Sequence, residues 1–204
     1  MGINNYHFSV LKRSLDVFLS LIILPVTLPI SVIIAVMIAV TSRGPIFFIQ
    51  KRIGRNGKEF SIIKFRSMKV GAEKLRKRYF YLNEADGPVF KIRDDPRFTR
   101  IGKFLARSAL DELPQFINVL RGEMSVVGPR PLPTYEAVNL PKKYRVRELI
   151  NPGITSLWVI NGSHNLKFKE WMKLDREYVK YGNFGTDLRV IYKTACLMLQ
   201  QFFG

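Results

Sequence analysis

The sequence predicts an α/β protein that is mostly α, with one small β-hairpin and a membrane anchor near the N-terminus. Three observations predict this fold class: an uncharged apolar segment after Asp16, an Asn-Gly turn between two β-prone runs, and several amphipathic helical stretches downstream. We expect residues 1–43 to form the anchor and residues 44–204 to form one compact cytosolic domain with amphipathic helices at the membrane interface.

The apolar segment is long enough for a membrane helix. No charged residue lies between Asp16 and Arg43, and Leu, Ile and Val dominate that interval. Roughly 20 such residues cross the apolar core of a bilayer. A cleaved signal peptide does not fit, because its apolar region is only about 7 to 15 residues long and ends at small residues. The alternative is a buried helix of a soluble protein, but uncharged runs of this length are rare in small soluble domains.

Two prolines lie in the middle of this segment. Pro25 and Pro29 are one helical turn apart, and each removes a backbone donor and clashes with the preceding turn, so we expect a sharp kink or a break. Basic residues flank both ends, and the positive-inside rule draws both flanks to the cytoplasm. The pattern favours a re-entrant helix, which enters one leaflet and returns, over a straight span; the flanking residues are Lys12, Arg13, Arg43, Lys51, Arg52 and Arg55.

The chain is strongly basic: 33 Lys and Arg against 16 Asp and Glu give a formal charge of +17. Such a charge predicts an anionic partner, which could be nucleic acid, an anionic membrane surface or a phosphate-bearing small molecule. Aromatic and basic residues alternate only within the short run 76–81, so no nucleic-acid partner is expected. The single Cys196 and the two separated histidines, His7 and His164, match neither a disulfide nor a zinc site.

The rest of the chain gives local signals for one hairpin and several helices. Strands are predicted for Ile46 to Ile53 and for Phe60 to Phe65, joined at the turn signal Asn56-Gly57. Ala72 to Asn83 is rich in helix formers and charges, which predicts an exposed basic amphipathic helix. Further helices are expected at 101–105, within 108–124, at 172–182 and at 188–203.

Two adjacent carboxylates, Asp111 and Glu112, lie in the first turn of the helix predicted within 108–124. Acids at this position are common helix caps, but arginines lie near them. Arg107 precedes Asp111 by one turn, and Arg130 is held between Pro129 and Pro131, which gives a rigid guanidinium suited to bidentate phosphate binding. Since no Ser/His or Cys/His arrangement is evident, the pattern indicates phosphoryl chemistry, in which a carboxylate is nucleophile, base or magnesium ligand.

Several runs of the chain resemble the bacterial sugar transferases, the monotopic phosphoglycosyl transferases. The resemblance covers nearly the whole chain in order, and the combination of LDELPQ with MSVVGPRP is its most specific part. The runs that carry it are LKRSLD, IGRNGKEFSIIKFRSM, DGPVFKIRDDPRFTRIGKFL, LDELPQFINVLRGEMSVVGPRP and NPGIT.

The resemblance implies a two-step transfer at the cytoplasmic face of the bacterial inner membrane. The Asp that matches Asp111 attacks the sugar-linked phosphate of a UDP-sugar, releases UMP and carries the sugar phosphate, which then passes to a polyprenol (undecaprenyl) phosphate. Glu112 is implied to assist as a base, Mg²⁺ to neutralise phosphates beside Asp111, and Lys64, Arg107 and Arg130, flanked by Pro129 and Pro131, to hold phosphate groups. This is the first membrane step of polysaccharide or glycoconjugate synthesis.

The same resemblance implies that the anchor is re-entrant, that Pro29 lies at its bend, and that residues 44–204 form the cytosolic catalytic domain. Members of the family usually have Ser-Pro where this chain has Leu28-Pro29, which removes a hydroxyl that could bond to the backbone there. Other differences are Ala106 in place of an arginine, and Ser156, Val159 and Ser163 in place of a glycine, a glutamine and an arginine. The identity of the sugar, the oligomeric state (a homodimer included) and the completeness of the chain stay open.

The alternative function is a non-catalytic membrane scaffold that recruits glycan enzymes. In a scaffold the carboxylates would be dispensable, whereas in a transferase the replacement of Asp111 would remove activity from a folded protein.

Overall fold

The computed structural model describes residues 2–162 and 166–203, without the side chains of 201–203. Ser163 and His164, which the sequence analysis discussed, lie outside the described residues. The α-helices are α1 (Val10–Thr41), α2 (Arg100–Arg107), α3 (Gln115–Leu120), α4 (Thr134–Ala137), α5 (Leu157–Ile160), α6 (Phe168–Tyr181) and α7 (Phe184–Phe203). The strands are β1 (Phe47–Ile53), β2 (Glu59–Phe65), β3 (Ser125–Val127) and β4 (Gly153–Thr155). The described chain is thus mostly helical with small sheets, as predicted.

Helix α1 contains the apolar segment and is long and apolar enough to cross a membrane. Ser9 caps its start, because its hydroxyl accepts a hydrogen bond from the Lys12 N–H at 3.1 Å. Only 11% of its most apolar window is buried, unlike a core helix of a soluble protein. The helix continues through Pro25 and Pro29, so of the predicted kink or break the break is absent, and the kink stays a prediction.

One hydroxyl group between the two prolines bonds to the helix backbone. The Thr27 hydroxyl donates to the carbonyl oxygen of Ile23 at 2.7 Å, one turn earlier. A backbone bond of the kind that Leu28 cannot make is therefore present one residue earlier. It does not replace the donors that the prolines lack, because the carbonyls that lose a partner are those of Leu21 and Pro25, four residues before each proline.

Both ends of α1 pack on the same body. Lys12, Asp16 and Ser20 are buried at its N-terminal end, and Ile34 and Ile38 are buried at its C-terminal end. No residue between 21 and 33 is buried. The middle of the helix, which contains both prolines, is therefore the part least covered by protein.

The predicted hairpin is confirmed, with β1 antiparallel to β2 and Phe47 opposite Phe65. Its turn requires positive φ at Asn56 (57°) and Gly57 (73°), which explains the Asn-Gly pair. A second sheet was not predicted: β3 pairs in parallel with β4. The chains there are so close that a Cβ on Gly153 would lie 2.1 Å from the Gly128 nitrogen, so only glycine fits.

The amphipathic helix predicted for Ala72 to Asn83 is wrong. The chain forms two short 3₁₀ turns, Lys74–Arg76 and Phe80–Leu82. Tertiary contacts outweigh helix propensity here, because the Arg76 guanidinium lies 3.7 Å from the centre of the Tyr135 ring and Phe80 stacks on Phe90 at 6.0 Å. The other predicted helices are present in α2, α3, α6 and α7 with shifted ends.

Hydrophobic packing joins α1 to the rest of the chain. The largest buried cluster combines residues of α3, β3, α6 and α7, and Leu19, Ile23 and Leu24 of α1 pack against it. In a second cluster, Ile34 and Ile38 of α1 contact residues around the end of β2 and of α2, namely Phe65, Leu105, Leu110 and Leu113. These contacts place the middle of α1 beside the cavity that contains the predicted carboxylates.

Candidate active site

The two carboxylates lie on a short turn between α2 and α3. Helix α2 ends at Arg107, and Ala109 then adopts a left-handed conformation with φ of 57°, which turns the chain. Leu110–Glu112 forms a 3₁₀ turn, and α3 begins only at Gln115, after Pro114. The acids therefore precede the helix in which they were predicted. Leu110 is buried in the cluster formed with Phe65, and Asp111 beside it is also buried.

Glu112 forms ion pairs with two cations from distant parts of the chain. Its Oε1 lies 2.5 Å from Lys64 Nζ on β2 and 3.3 Å from Arg130 Nη1. Burial opposes ionisation of Glu112, but the charges of Lys64 and Arg130 outweigh burial and hold its pKa at about 2. Glu112 is thus ionised in the resting protein and keeps the two cations together.

Asp111 has the opposite electrostatic character. Burial raises its pKa to about 6, and the negative charge of Glu112 adds to the effect, while Lys64 and Arg130 oppose it. The Ser67 hydroxyl lies 3.5 Å from its Oδ2, and Asp111 forms no ion pair within the described residues. Adjacent carboxyl groups whose pKa values are driven apart are a recognised sign of divided chemical roles. A carboxylate with a raised pKa is also a better nucleophile than an ordinary one, because nucleophilicity increases with basicity.

Arg130 is fixed through the backbone on both sides. Arg147 donates to the Arg130 carbonyl oxygen at 2.5 Å, and Arg52 Nη1 donates to the Pro131 carbonyl oxygen at 2.9 Å. Arg147 is in turn paired with the buried Asp175 at 2.9 Å. Together with the rings of Pro129 and Pro131, these bonds restrict the position of the Arg130 side chain. The sequence gives no sign that Arg52 and Arg147 support Arg130, because only the tertiary structure brings these residues together.

Arg107 lies at the edge of the site. Its side chain is 60% exposed, and Nη2 is 2.7 Å from Asp94 Oδ1, which Lys103 also contacts at 2.8 Å. The prediction placed Arg107 one helical turn before Asp111, but the left-handed Ala109 interrupts that helix. The structure thus brings together Asp111, Glu112, Lys64 and Arg130, while Arg107 faces the solvent side of the cavity.

The site opens into a cavity of about 1830 Å³. One part of its wall is polar and contains Asp111, Glu112 and Arg130. Another part is apolar and is formed by the middle of α1 and by α7, with Ile23, Thr27, Ile191, Ala195 and Met198. This volume exceeds that of a pocket for one drug-sized ligand, so a polar and an apolar substrate can both be accommodated.

The carboxylates fit Mg²⁺ only as part of a shared site. Within residues 2–162 and 166–203 there is no group of three His, Cys, Asp or Glu side chains that could hold a metal ion. Mg²⁺ is, however, commonly held by one or two carboxylates, with water and substrate phosphates as the other ligands. Asp111, which has no cation of its own, meets that requirement, whereas Glu112 is already paired with Lys64 and Arg130.

Comparison with known proteins agrees with this geometry. Residues 7–201 match the family described as bacterial sugar transferase. A galactosyl transferase, CpsE of Streptococcus agalactiae, is 46% identical over 160 residues, which cover 76% of this chain and 35% of that relative. A UDP-glucose:undecaprenyl-phosphate glucose-1-phosphate transferase of Escherichia coli is 37% identical over 195 residues, 91% of this chain and 39% of the relative.

A shorter relative matches over most of its length. The exopolysaccharide production protein ExoY of Rhizobium meliloti is 34% identical over 189 residues, which cover 90% of this chain and 83% of ExoY. The chain spans well under half the length of the Streptococcus and Escherichia relatives. Since the family match covers almost the whole chain, the chain belongs to the bacterial sugar transferase family.

Proposed function

We propose that this protein transfers a sugar 1-phosphate from a UDP-sugar to undecaprenyl phosphate through a covalent intermediate on Asp111. The observation that carries the proposal is the buried Asp111, with a pKa raised to about 6, beside Lys64 and Arg130 in a cavity that borders the apolar helix α1. The substrates come from the names of relatives, one of which specifies UDP-glucose and undecaprenyl phosphate.

The first step forms the intermediate. A carboxylate oxygen of Asp111 attacks the phosphorus that bears the sugar, and the bond from that phosphorus to the bridging oxygen breaks. UMP leaves with the bonding electron pair, and Asp111 carries the sugar phosphate as an acyl phosphate. Lys64 and Arg130 neutralise the charge on the phosphate oxygens, which lowers the barrier to transfer.

The second step regenerates the enzyme. An oxygen of the lipid phosphate attacks the same phosphorus, and the bond to Asp111 breaks with return of the electron pair to the carboxylate. The product is a lipid-linked diphosphate sugar. Because a phosphate monoester is largely ionised near pH 7, the attacking oxygen does not need to lose a proton.

Glu112 is proposed to position cations rather than to act as the base that the resemblance implies. A carboxylate whose pKa is about 2 is a weak proton acceptor. Its ion pairs instead hold Lys64 and Arg130 at the site before the donor arrives. The donor phosphates would then take over these cations. Mg²⁺, when bound through Asp111 and the donor phosphates, would supply further charge neutralisation.

The anchor is proposed to be re-entrant, so that the active site faces the cytoplasm and residues 44–204 form the cytosolic catalytic domain. Two features support this: both ends of α1 pack on one body, and basic residues flank both ends. A bend at Pro25 to Pro29 that leaves the helix continuous is compatible with it.

Labelling tests the topology directly. Cys196 would be replaced by Ser, and single cysteines placed at Gly2 or Arg43 in spheroplasts and in inverted vesicles. A re-entrant anchor predicts that an impermeant thiol reagent labels both positions only from the cytoplasmic side. Labelling of the two positions from opposite sides would establish a straight span instead.

An assay of UMP release tests the reaction. The protein, purified in detergent with Mg²⁺, would receive undecaprenyl phosphate and one of a panel of UDP-sugars, with the Asp111→Asn variant as control. We expect lipid-dependent UMP from at least one UDP-hexose and none from the variant. No UMP from any donor would favour the scaffold function, whereas equal activity in the variant would show that Asp111 is not the nucleophile.

A further inference from the structure

A second group of cations lies in the same cavity, apart from Lys64. Residues Phe48, Gln50 and Arg52 alternate along β1, so they share one face of the hairpin, and Lys64 lies directly opposite Phe48 on that face. Arg52 is four residues along the strand from Phe48, about 14 Å at about 3.4 Å per residue. The hairpin thus supplies two cations to one cavity, one at Asp111 and one farther along.

Arg52 is half-buried and only partly hydrogen bonded. Its Nη1 donates to the Pro131 carbonyl oxygen, whereas its buried Nε has no hydrogen-bond partner among the described residues. Burial, and to a smaller extent the positive charge of Arg130, lower the pKa of Arg52 to about 10. A buried guanidinium close to a second one is unfavourable unless an anion joins them.

Lys91 and Trp158 complete this part of the wall. Lys91 Nζ lies 5.8 Å from the centre of the Trp158 ring, and the Arg130 guanidinium lies 6.0 Å from it. Burial lowers the pKa of Lys91 to about 8, and the charge of Arg130 again contributes. Trp158 also has a buried ring N–H without a hydrogen-bond partner in the described part of the chain.

Several carboxylates lie near these cations. Glu112 is paired with Lys64 and Arg130, the charge of Glu84 acts on Lys91, and burial raises the pKa of Glu136, which accepts a hydrogen bond from the Phe90 N–H at 3.2 Å. The buried Nε of Arg52 and the Trp158 ring N–H nonetheless have no hydrogen-bond partner among the described residues, and both residues line the cavity with Lys91 and Arg130. Perturbed charged groups in a cavity indicate a ligand site, and this region suits a phosphate.

We propose that Arg52 and Lys91, together with Arg130, form a second phosphate subsite that binds the phosphate of the departing UMP, with Trp158 as the adjacent wall. The inference rests on the proposed function, in which the bond between the two donor phosphates breaks. Lys64 holds the phosphate that Asp111 attacks. Arg52 and Lys91 hold the phosphate that leaves with the electron pair, and they stabilise the negative charge that develops on it.

Binding of UMP and of uridine tests the subsite without turnover. The ratio of the uridine Kd to the UMP Kd measures what the phosphate contributes, and it would be measured by calorimetry on the full chain in detergent. We expect Arg52→Gln and Lys91→Gln each to lower this ratio by about 10- to 100-fold, the effect of one charge-assisted hydrogen bond. Lys58→Gln is the matched control, since Lys58 is exposed on the same hairpin and should leave the ratio unchanged.

The ratio separates phosphate binding from structural damage. A variant that merely disturbs the backbone at Pro131 would weaken uridine and UMP equally, so an unchanged ratio in both variants would overturn the subsite. Lys91→Gln provides a second test that does not remove the bond to Pro131. Arg52→Lys, which keeps the charge, should recover part of the ratio.

The outcomes also distinguish the two proposals. Normal lipid-dependent turnover together with an unchanged ratio would refute the subsite alone. Selective binding of UMP through Arg52 in a protein that releases no UMP from any donor would refute the proposed function and leave the subsite in place. Failure of the wild-type protein to distinguish UMP from uridine would refute the subsite.

Discussion

Buried charges occur in two regions of this protein, and they are paired differently. At the N-terminal end of α1, Lys12 Nζ lies 2.6 Å from Asp187 and 3.3 Å from Asp16, and it donates to the Val127 carbonyl oxygen at 3.2 Å. Asp187 also accepts hydrogen bonds from the hydroxyls of Tyr6 and Tyr178 at 2.9 and 2.6 Å. Each charge in this region has several partners.

The cavity has the same residue types in a different balance. Glu112 is shared by Lys64 and Arg130, Asp111 has no ion pair in the described chain, and Arg52 has a buried N–H without a partner. A fully paired cluster connects the start of α1 to the body and stabilises the fold. A cluster in which one carboxylate serves two cations, and in which a second carboxyl has a raised pKa, is arranged for a substrate that brings negative charge. In this protein, buried charges that stabilise the fold have several partners each, whereas the charges of the proposed active site are incompletely paired.

The largest effect is expected for Asp111→Asn. An amide cannot attack phosphorus in place of the carboxylate, so lipid-dependent UMP release should fall by at least about 10,000-fold. The melting temperature should stay the same or rise, since the variant no longer buries a carboxyl group without an ion pair. Activity above a hundredth of the wild-type value would show that Asp111 is not the nucleophile.

Glu112→Gln is expected to reduce turnover by about 100- to 10,000-fold. The variant loses the charge that keeps Lys64 and Arg130 at the site. Loss of the neighbouring negative charge should also lower the pKa of Asp111, which is about 6 in the wild type. Since only ionised Asp111 attacks, the wild-type rate should fall as the pH drops below about 6.

A pH profile of the first step decides how Glu112 acts. In Glu112→Gln the acidic limb should move to lower pH, because Asp111 ionises more readily. An acidic limb that stays in place would argue against electrostatic coupling of the two groups. A turnover close to that of the wild type would reduce Glu112 to a structural residue.

Lys12→Met should have the opposite effect to the active-site variants. It should lower stability and leave the activity of each folded molecule almost unchanged. Removing one partner of a buried pair costs about 3–5 kcal/mol, because Asp187 and Asp16 remain buried without their cation. Thermal unfolding would measure this, and Lys58→Met is an exposed control. The donor KM of the folded fraction should change less than about threefold; a selective rise in donor KM without loss of stability would refute the division between the regions.

The smallest effect is expected for Arg107→Gln. Arg107 is 60% exposed and shares Asp94 with Lys103, and exposed ion pairs contribute about 0–1 kcal/mol. Turnover should therefore change by less than about threefold, similar to the Lys103→Gln control. A loss of tenfold or more in Arg107→Gln alone would mean that Arg107 turns toward the donor when it binds.

Local sequence signals predicted the elements that depend on local physics. The hairpin follows from alternating β-prone residues and the positive φ of Asn56 and Gly57, and α7 follows from the mostly apolar run 188–203, whose only charges are Arg189 and Lys193. The sheet formed by β3 and β4 was missed, because two strands of three residues each leave no measurable period. The helix predicted for Ala72 to Asn83 was wrong, because aromatic contacts with Tyr135 and Phe90 decided its course.

The candidate site was predictable where the family motifs contain its residues. Asp111, Glu112, Lys64 and Arg130 lie together, although the predicted helix containing both acids is instead a 3₁₀ turn before α3. The position of Arg107 could not be inferred, because one left-handed residue, Ala109, redirects the chain. Arg52 and Lys91 gave no local signal, since their burial results from the packing of the hairpin against residues distant in sequence.

Detection of the covalent intermediate tests the central claim most directly. The protein would be incubated with the active UDP-sugar and Mg²⁺ without lipid, and its intact mass and peptide map recorded, with Asp111→Asn as control. We predict a mass increase of one sugar phosphate on the peptide that contains Asp111, which disappears when undecaprenyl phosphate is added and is absent in the variant. A protein that forms lipid product but never carries the adduct, or carries it on another residue, would contradict the account.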